Sequence, residues 1–150
     1  EEMEKFSSRA QKNLHVIFSA HSIPEKFALR GDPYPEQVRR TVEGIVERVR
    51  PENWHITYQS RVGPVRWLRP STLETLDALL DRGAKEIVVV PVSFVSDHLE
   101  TLHEIDIEMR NKVQSSGRAE FRRTASLNAD ADFIEALSDI VREKLEKGTA

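Results

Sequence analysis

The run Ile87-Val88-Val89-Val90, closed by Pro91, constrains the fold more than any other stretch of the chain. Successive β-branched residues leave no polar face, so the segment suits a strand buried on both sides, as in a parallel sheet. Such a sheet needs helices over its faces, and the rest of the sequence supplies them.

Leu14-His15-Val16-Ile17-Phe18-Ser19-Ala20 is a short continuous apolar run and reads as the first strand, ending at His21-Ser22-Ile23-Pro24. After a loop through Gly31-Asp32-Pro33-Tyr34-Pro35, the residues Val38, Val42, Ile45 and Val49 recur at helical spacing, and Pro51 closes that helix. The second strand is Trp54-His55-Ile56-Thr57-Tyr58-Gln59-Ser60. A loop from Arg61 to Pro70 leads to Ser71, which with Glu74 forms a capping-box signature for a helix through Leu73, Leu76 and Leu80 to Gly83. The third strand runs into a helix from about His98 to Val113, stopped by Gly117. Ala119 to Ala125 forms a weaker fourth strand, and Phe133, Leu137, Ile140, Val141 and Leu145 supply the apolar face of a last helix. This alternation predicts a three-layer α/β/α sandwich on a four-stranded, mostly parallel sheet. Residues 1–13 read as a helical or frayed lead-in and 14–150 as one domain without internal repeats.

A chain of 150 residues accommodates one such domain, burying roughly two thirds of its unfolded surface. Its 22 Lys and Arg against 25 Asp and Glu give a net charge of -3, without the basic field of a nucleic-acid binder. Cysteine is absent, which excludes disulfides, thiolate metal sites and a cysteine-ligated iron–sulfur cluster within the chain and makes a cytoplasmic location the expectation. No apolar run approaches the length of a membrane span, and residues 1–5 lack the order of a signal peptide; peripheral membrane contact stays open. The glycines form neither G-x-G-x-x-G nor G-x-x-x-x-G-K-[ST], and neither G-x-S-x-G nor H-E-x-x-H occurs.

Ligands of parallel α/β sheets bind beyond the carboxyl ends of the strands. His21, the stretch from Gln59 to Trp67 and the stretch from Ser93 to Glu100 all fall at such ends and should converge on one edge. His21 and Glu100 are then an acid/base pair in prospect, although His21 can equally cap the turn before Pro24. Asp97, His98, Glu100, His103, Glu104, Asp106 and Glu108 crowd the start of the following helix. Glu100, Glu104 and Glu108 form one stripe that drifts by roughly 40° per step on an α-helix. A widened, π-type turn would straighten it, and such bulges often sit at functional sites. The stripe reads either as a solvated acidic face or as a line of oxygen ligands for a divalent cation. Trp67 and Phe94 are either aromatics tucked over the core or platforms for a flat ligand. His15 and His55 lie within strand patterns and read as packed or surface residues.

Ser19-Ala20-His21-Ser22-Ile23-Pro24, Gly31-Asp32-Pro33-Tyr34, Tyr58-Gln59-Ser60-Arg61-Val62-Gly63-Pro64 with Trp67-Leu68 and Pro70, and Val92-Ser93-Phe94-Val95-Ser96-Asp97-His98-Leu99-Glu100-Thr101-Leu102 resemble, in the same order, stretches of the ferrochelatase family. Leu127-Asn128 before a helix is similar too, and the likeness covers about residues 14 to 145. The resemblance implies the C-terminal one of two α/β domains that face each other across a porphyrin cleft. It implies insertion of Fe²⁺, the metal substrate, into a protoporphyrin or coproporphyrin for haem, with no further cofactor required. His21 and Glu100 match the family's catalytic pair, and His21, Glu100, Glu104, Glu108 and His98 its metal-handling groups. Trp67, Phe94, Ser96 and Asp97 match the porphyrin side. His103 stands where many members carry Tyr. The family's other wall comes from an N-terminal half that these residues do not include, so the expected partner is that half or a second copy.

Overall fold

In the computed structural model, which describes residues 13–148, four strands form one parallel sheet in the order β2-β1-β3-β4. They are β1 (Leu14–His21), β2 (Asn53–Gln59), β3 (Glu86–Pro91) and β4 (Glu120–Arg123). The helices are α1 (Glu25–Leu29), α2 (Tyr34–Val49), α3 (Thr72–Asp81), α4 (Arg110–Ser116) and α5 (Ala131–Gly148). A π-helix, Glu100–Met109, runs directly into α4. The expected lead-in lies, apart from Asn13, outside the described residues.

Side chains alternate across the central strand, as a period of two requires. Val16, Phe18 and Ala20 of β1 pack with Val38 and Val42 of α2 and with Tyr58. Ile17 points the other way, into a cluster with Leu76, Leu79 and Leu80 of α3 and Ile105, Met109 and Val113 of the π-helix and α4. From β1 the chain steps outward to β2, then returns past β1 to β3. Strand order therefore reverses between β1 and β3, and a crevice opens beyond their carboxyl ends. His21 and the segment after Pro91 occupy that edge.

Some expectations are corrected. The segment after Pro24, read as loop, contains the short helix α1. Leu73 is exposed and Leu79 takes the buried position beside Leu76 and Leu80. The capping box at Ser71 does not form, because Glu74 turns instead to Arg61 at 3.3 Å. No residue of α5 is buried: Ile134, Leu137, Ile140, Val141 and Leu145 lie on the outer surface. The apolar stripe is real, but among the described residues Ile134, Leu137, Ile140 and Val141 stay exposed.

At the amino ends of β1 and β2, His15 Nδ1 lies 3.2 Å from His55 Nε2, with the rings stacked at 5.4 Å between centroids. Burial pushes both imidazoles below the ordinary 6.5, and the positive charges of His15 and Arg82 add to the effect on His55. The unfolded chain therefore takes up protons first as pH falls, so the stability held by the neutral pair is complete above about 6.5 and is lost on descending through the lowered values. The urea midpoint is expected to drop between about pH 7 and 5.5, less so in His55→Gln. Parallel pH profiles for the two proteins would refute the role of the pair.

Candidate active site

β1 delivers His21 to the switch-point edge, and its surroundings fix the ring. The His21 backbone N–H donates to Ser93 Oγ at 2.7 Å, tying β1 to the turn after β3, and Tyr34 Oη donates to the His21 carbonyl at 2.8 Å. His21 Nδ1 lies 2.7 Å from the Ser22 carbonyl. A carbonyl only accepts, so Nδ1 donates to it, and in the neutral form of the ring Nε2 is left as the acceptor. That nitrogen is 4.0 Å from Glu100 Oε1. The other oxygen, Oε2, accepts from His98 Nδ1 at 2.7 Å. The carboxyl of Glu100 is held below its usual range by its own backbone N–H and then by the His98 imidazole. An ionised carboxylate thus stands between two imidazoles, orienting one and facing the basic nitrogen of the other.

Glu100 opens the π-helix, whose wide turns are seen where the Arg110 N–H bonds to the Ile105 carbonyl, five residues back. Thr101, Ile105 and Met109 face the core along it. Glu104 Oε2 accepts from Gln59 Nε2 and from Ser60 Oγ, each at 3.1 Å. Glu108 lies 3.4 Å from His103 Nδ1. Both carboxylates line a groove of about 430 Å³ with Gln59, Ser60, Arg61 and His103. The three acids thus sit at separate stations: Glu100 faces His21, Glu104 is bound to the end of β2, and Glu108 is at the open side. Among the described residues no three His, Asp or Glu side chains close on one point as a metal cage.

The remaining site candidates divide. The loop bearing Trp67 lies against the His21 turn, with Trp67 bridging to Pro24 and the Leu68 N–H donating to the Ile23 carbonyl at 3.1 Å. Trp67 is half-buried, its indole N–H enclosed without an acceptor among the described residues. Phe94 is only 6% exposed; its ring sits 6.0 Å from that of His21 and 5.2 Å from that of His98. It braces the histidines and offers little platform. Ser96 is exposed, whereas Asp97 is engaged by Ser126, Asn128 and Thr101.

Two residues of the site take roles that sequence reasoning did not assign, Gln59 having been placed only as the start of a stretch at this edge. Gln59 connects the sheet interior to the acid helix, and Arg123 binds Asp106 and Asp97 together. Ser19, Thr57 and Gln59 are polar positions on the alternating pattern of buried strands, and buried polar groups need partners. That was the available signal for Gln59. Arg123 carried none.

A family model described as Ferrochelatase matches residues 1–145. The ferrochelatase of Geotalea uraniireducens is 45% identical over 143 residues, covering 95% of this chain and 44% of that protein. That of Geobacter metallireducens is 48% identical over 130 residues, 87% of this chain and 41% of the relative. The chain thus spans less than half the length of these curated relatives. Among solved structures, a putative cobalamin (vitamin B12) biosynthesis CbiX protein from Marinobacter aquaeolei superposes with a TM-score of 0.63 at 19% identity, over 89% of this chain and 98% of that one. That likeness is one of fold.

Proposed function

This chain belongs to the ferrochelatase family, and on that premise we propose that it forms the metal-inserting wall of an enzyme that places Fe²⁺ in a porphyrin. The observation that carries the reading is the Nε2 of His21, whose Nδ1 is bonded to the Ser22 carbonyl, facing an ionised Glu100 across 4.0 Å. Insertion exchanges one divalent cation for the two protons of the pyrrole N–H groups. His21 Nε2 accepts the first pyrrole proton, the imidazolium so formed is stabilised by Glu100 and passes that proton on through the carboxylate to solvent, and the restored imidazole takes the second. Glu104 and Glu108, in the adjoining groove, supply oxygen donors to a cation shedding its water, a role that suits Fe²⁺. Trp67 stands on the porphyrin side, beside the His21 turn.

Bending the macrocycle turns its nitrogen lone pairs out of plane, towards the geometry of the transition state. That needs a second wall. The exposed apolar side chains of Ile134, Leu137, Ile140 and Val141 on α5 support a partner body, and the length of the relatives supports an N-terminal half as that body. A second copy of this chain is the other reading, favoured by the CbiX chain, which has this fold over 98% of its length. Both place the reaction at the same edge.

The test is metalloporphyrin formation, followed by absorbance, with Fe²⁺ or Zn²⁺ and either protoporphyrin or coproporphyrin. Saturable insertion is expected from the complete protein. Porphyrin binding without metallation would leave a binding module and end the enzymatic reading. Sedimentation separates the two walls: a monomer active at working concentration excludes the second copy.

A further inference from the structure

Arg123 ends β4, beside Val89 of β3, and its side chain is only 11% exposed. Its guanidinium grips Asp106 side-on, with Nε 3.0 Å from both carboxylate oxygens and Nη2 2.8 Å from Oδ2. On the other side Nη1 lies 3.1 Å from Asp97 Oδ1. Asp97 precedes the π-helix and Asp106 lies within it, so one cation is bonded to both flanks of the stretch that presents His98, Glu100 and Glu104. Asp97 is fixed further. It accepts from Ser126 Oγ at 2.9 Å and Asn128 Nδ2 at 3.0 Å, and its backbone N–H donates to Asn128 Oδ1 at 2.9 Å.

A π-turn is rare and persists where its surroundings over-determine it. Relaxing it to an α-helix would rotate Asp106 about the axis relative to Asp97, and a planar fork could no longer meet both carboxylates. The bidentate grip is geometrically demanding in a way that a lysine would not be. The anchor is also well chosen, because β4 pairs with β3, whose neighbour β1 carries His21.

We propose that Arg123 and Asp106 are positioning residues for the site: by holding Asp97 and Asp106 together, the guanidinium sets the width of the π-turn and so the direction in which His98 and Glu100 face His21. This rests on the reading that His21 and Glu100 carry the chemistry. The test uses Asp106→Asn, which keeps shape and loses charge, and Arg123→Lys, which keeps charge and loses the fork, in the complete protein. Two readouts are taken: the ring-proton resonances of His21 and His98, and metal-insertion kinetics.

Both variants are expected to displace the His98 and His21 resonances and to lower kcat by about 10- to 100-fold, as partners of a reacting group's partner do, with porphyrin KM within about twofold. Resonances that coincide with wild type in both variants would overturn the proposal. So would a full rate in Arg123→Lys, since charge alone would then suffice. Should either variant fail to fold, Asn128→Ala loosens Asp97 from the exposed side and carries the same comparison. A wild-type protein that inserts no metal would sink the functional reading alone; the ring resonances would still decide the clamp.

Discussion

His21→Ala is expected to lower kcat for metal insertion at least about 100-fold, the scale on which removal of a positioned proton acceptor acts. Glu100→Gln should cost a similar factor by a different route. The amide keeps the volume but loses the charge opposite Nε2, so an imidazolium at His21 is no longer stabilised, and His98 loses its ionic acceptor across 2.7 Å. On the proposed mechanism the two groups act in the same proton transfer, so the double variant should be little worse than the worse single one. Porphyrin affinity should hardly move in either. Neither side chain is in the core: His21 is 45% and Glu100 31% exposed, so thermal unfolding should stay near wild type. Steady-state metallation of porphyrin by Zn²⁺, with the melting temperature as control, reads all of this. A single variant retaining more than a tenth of the wild-type rate would remove that residue from the chemistry.

The strands were legible because they are made of local pattern. Ile87 to Val90 has no polar face and became β3 at the centre of a parallel sheet, and the turn at His21 became the end of β1. The π-helix was legible as an oddity, since an unrelieved stripe of like charges makes a poor surface helix. What could not be read were choices between partners distant in sequence. Glu74 was free to cap its own helix but is taken by Arg61, and the capping box is left unformed. Asp106 looked like one more acid in a dense cluster; only the fold brings β4 alongside it. Phe94 carried the hydrophobicity of a ligand platform, yet the turn after β3 folds it inward behind two histidines. The stripe on α5 shows how periodicity identifies an apolar face without naming what covers it.

Gln59→Leu is expected to cost about 2–4 kcal/mol of stability, unusually much for a change that leaves no cavity. The Gln59 side-chain amide is a connector with a fixed direction. Its Oε1 accepts from Ser19 Oγ at 2.5 Å, and its Nε2 donates to the Glu100 carbonyl at 2.8 Å and to Glu104 at 3.1 Å. Ser19 Oγ is 2.8 Å from Thr72 Oγ1, which is 2.9 Å from Thr57 Oγ1, so the chain of bonds runs from the closed interior of the sheet to the acid helix. Leucine fills the space and bonds to none of these groups. Each buried group left unsatisfied costs roughly 1–3 kcal/mol, and water reaches only the Glu104 end. Gln59→Glu should be worse at alkaline than at acidic pH. The introduced carboxyl would face the Glu104 carboxylate and a carbonyl, both acceptors, so its folded-state pKa is raised above the ordinary glutamate value. Stability is then present below that ordinary value and lost as pH rises through the raised one. Chemical denaturation of the three proteins at about pH 4 and 8 separates these cases. If Gln59→Leu unfolds at the wild-type midpoint, this hydrogen-bond chain is not what fastens the π-helix to the sheet, and the placement of Glu104 must come from its bond with Ser60 and the apolar contacts of Ile105 and Met109.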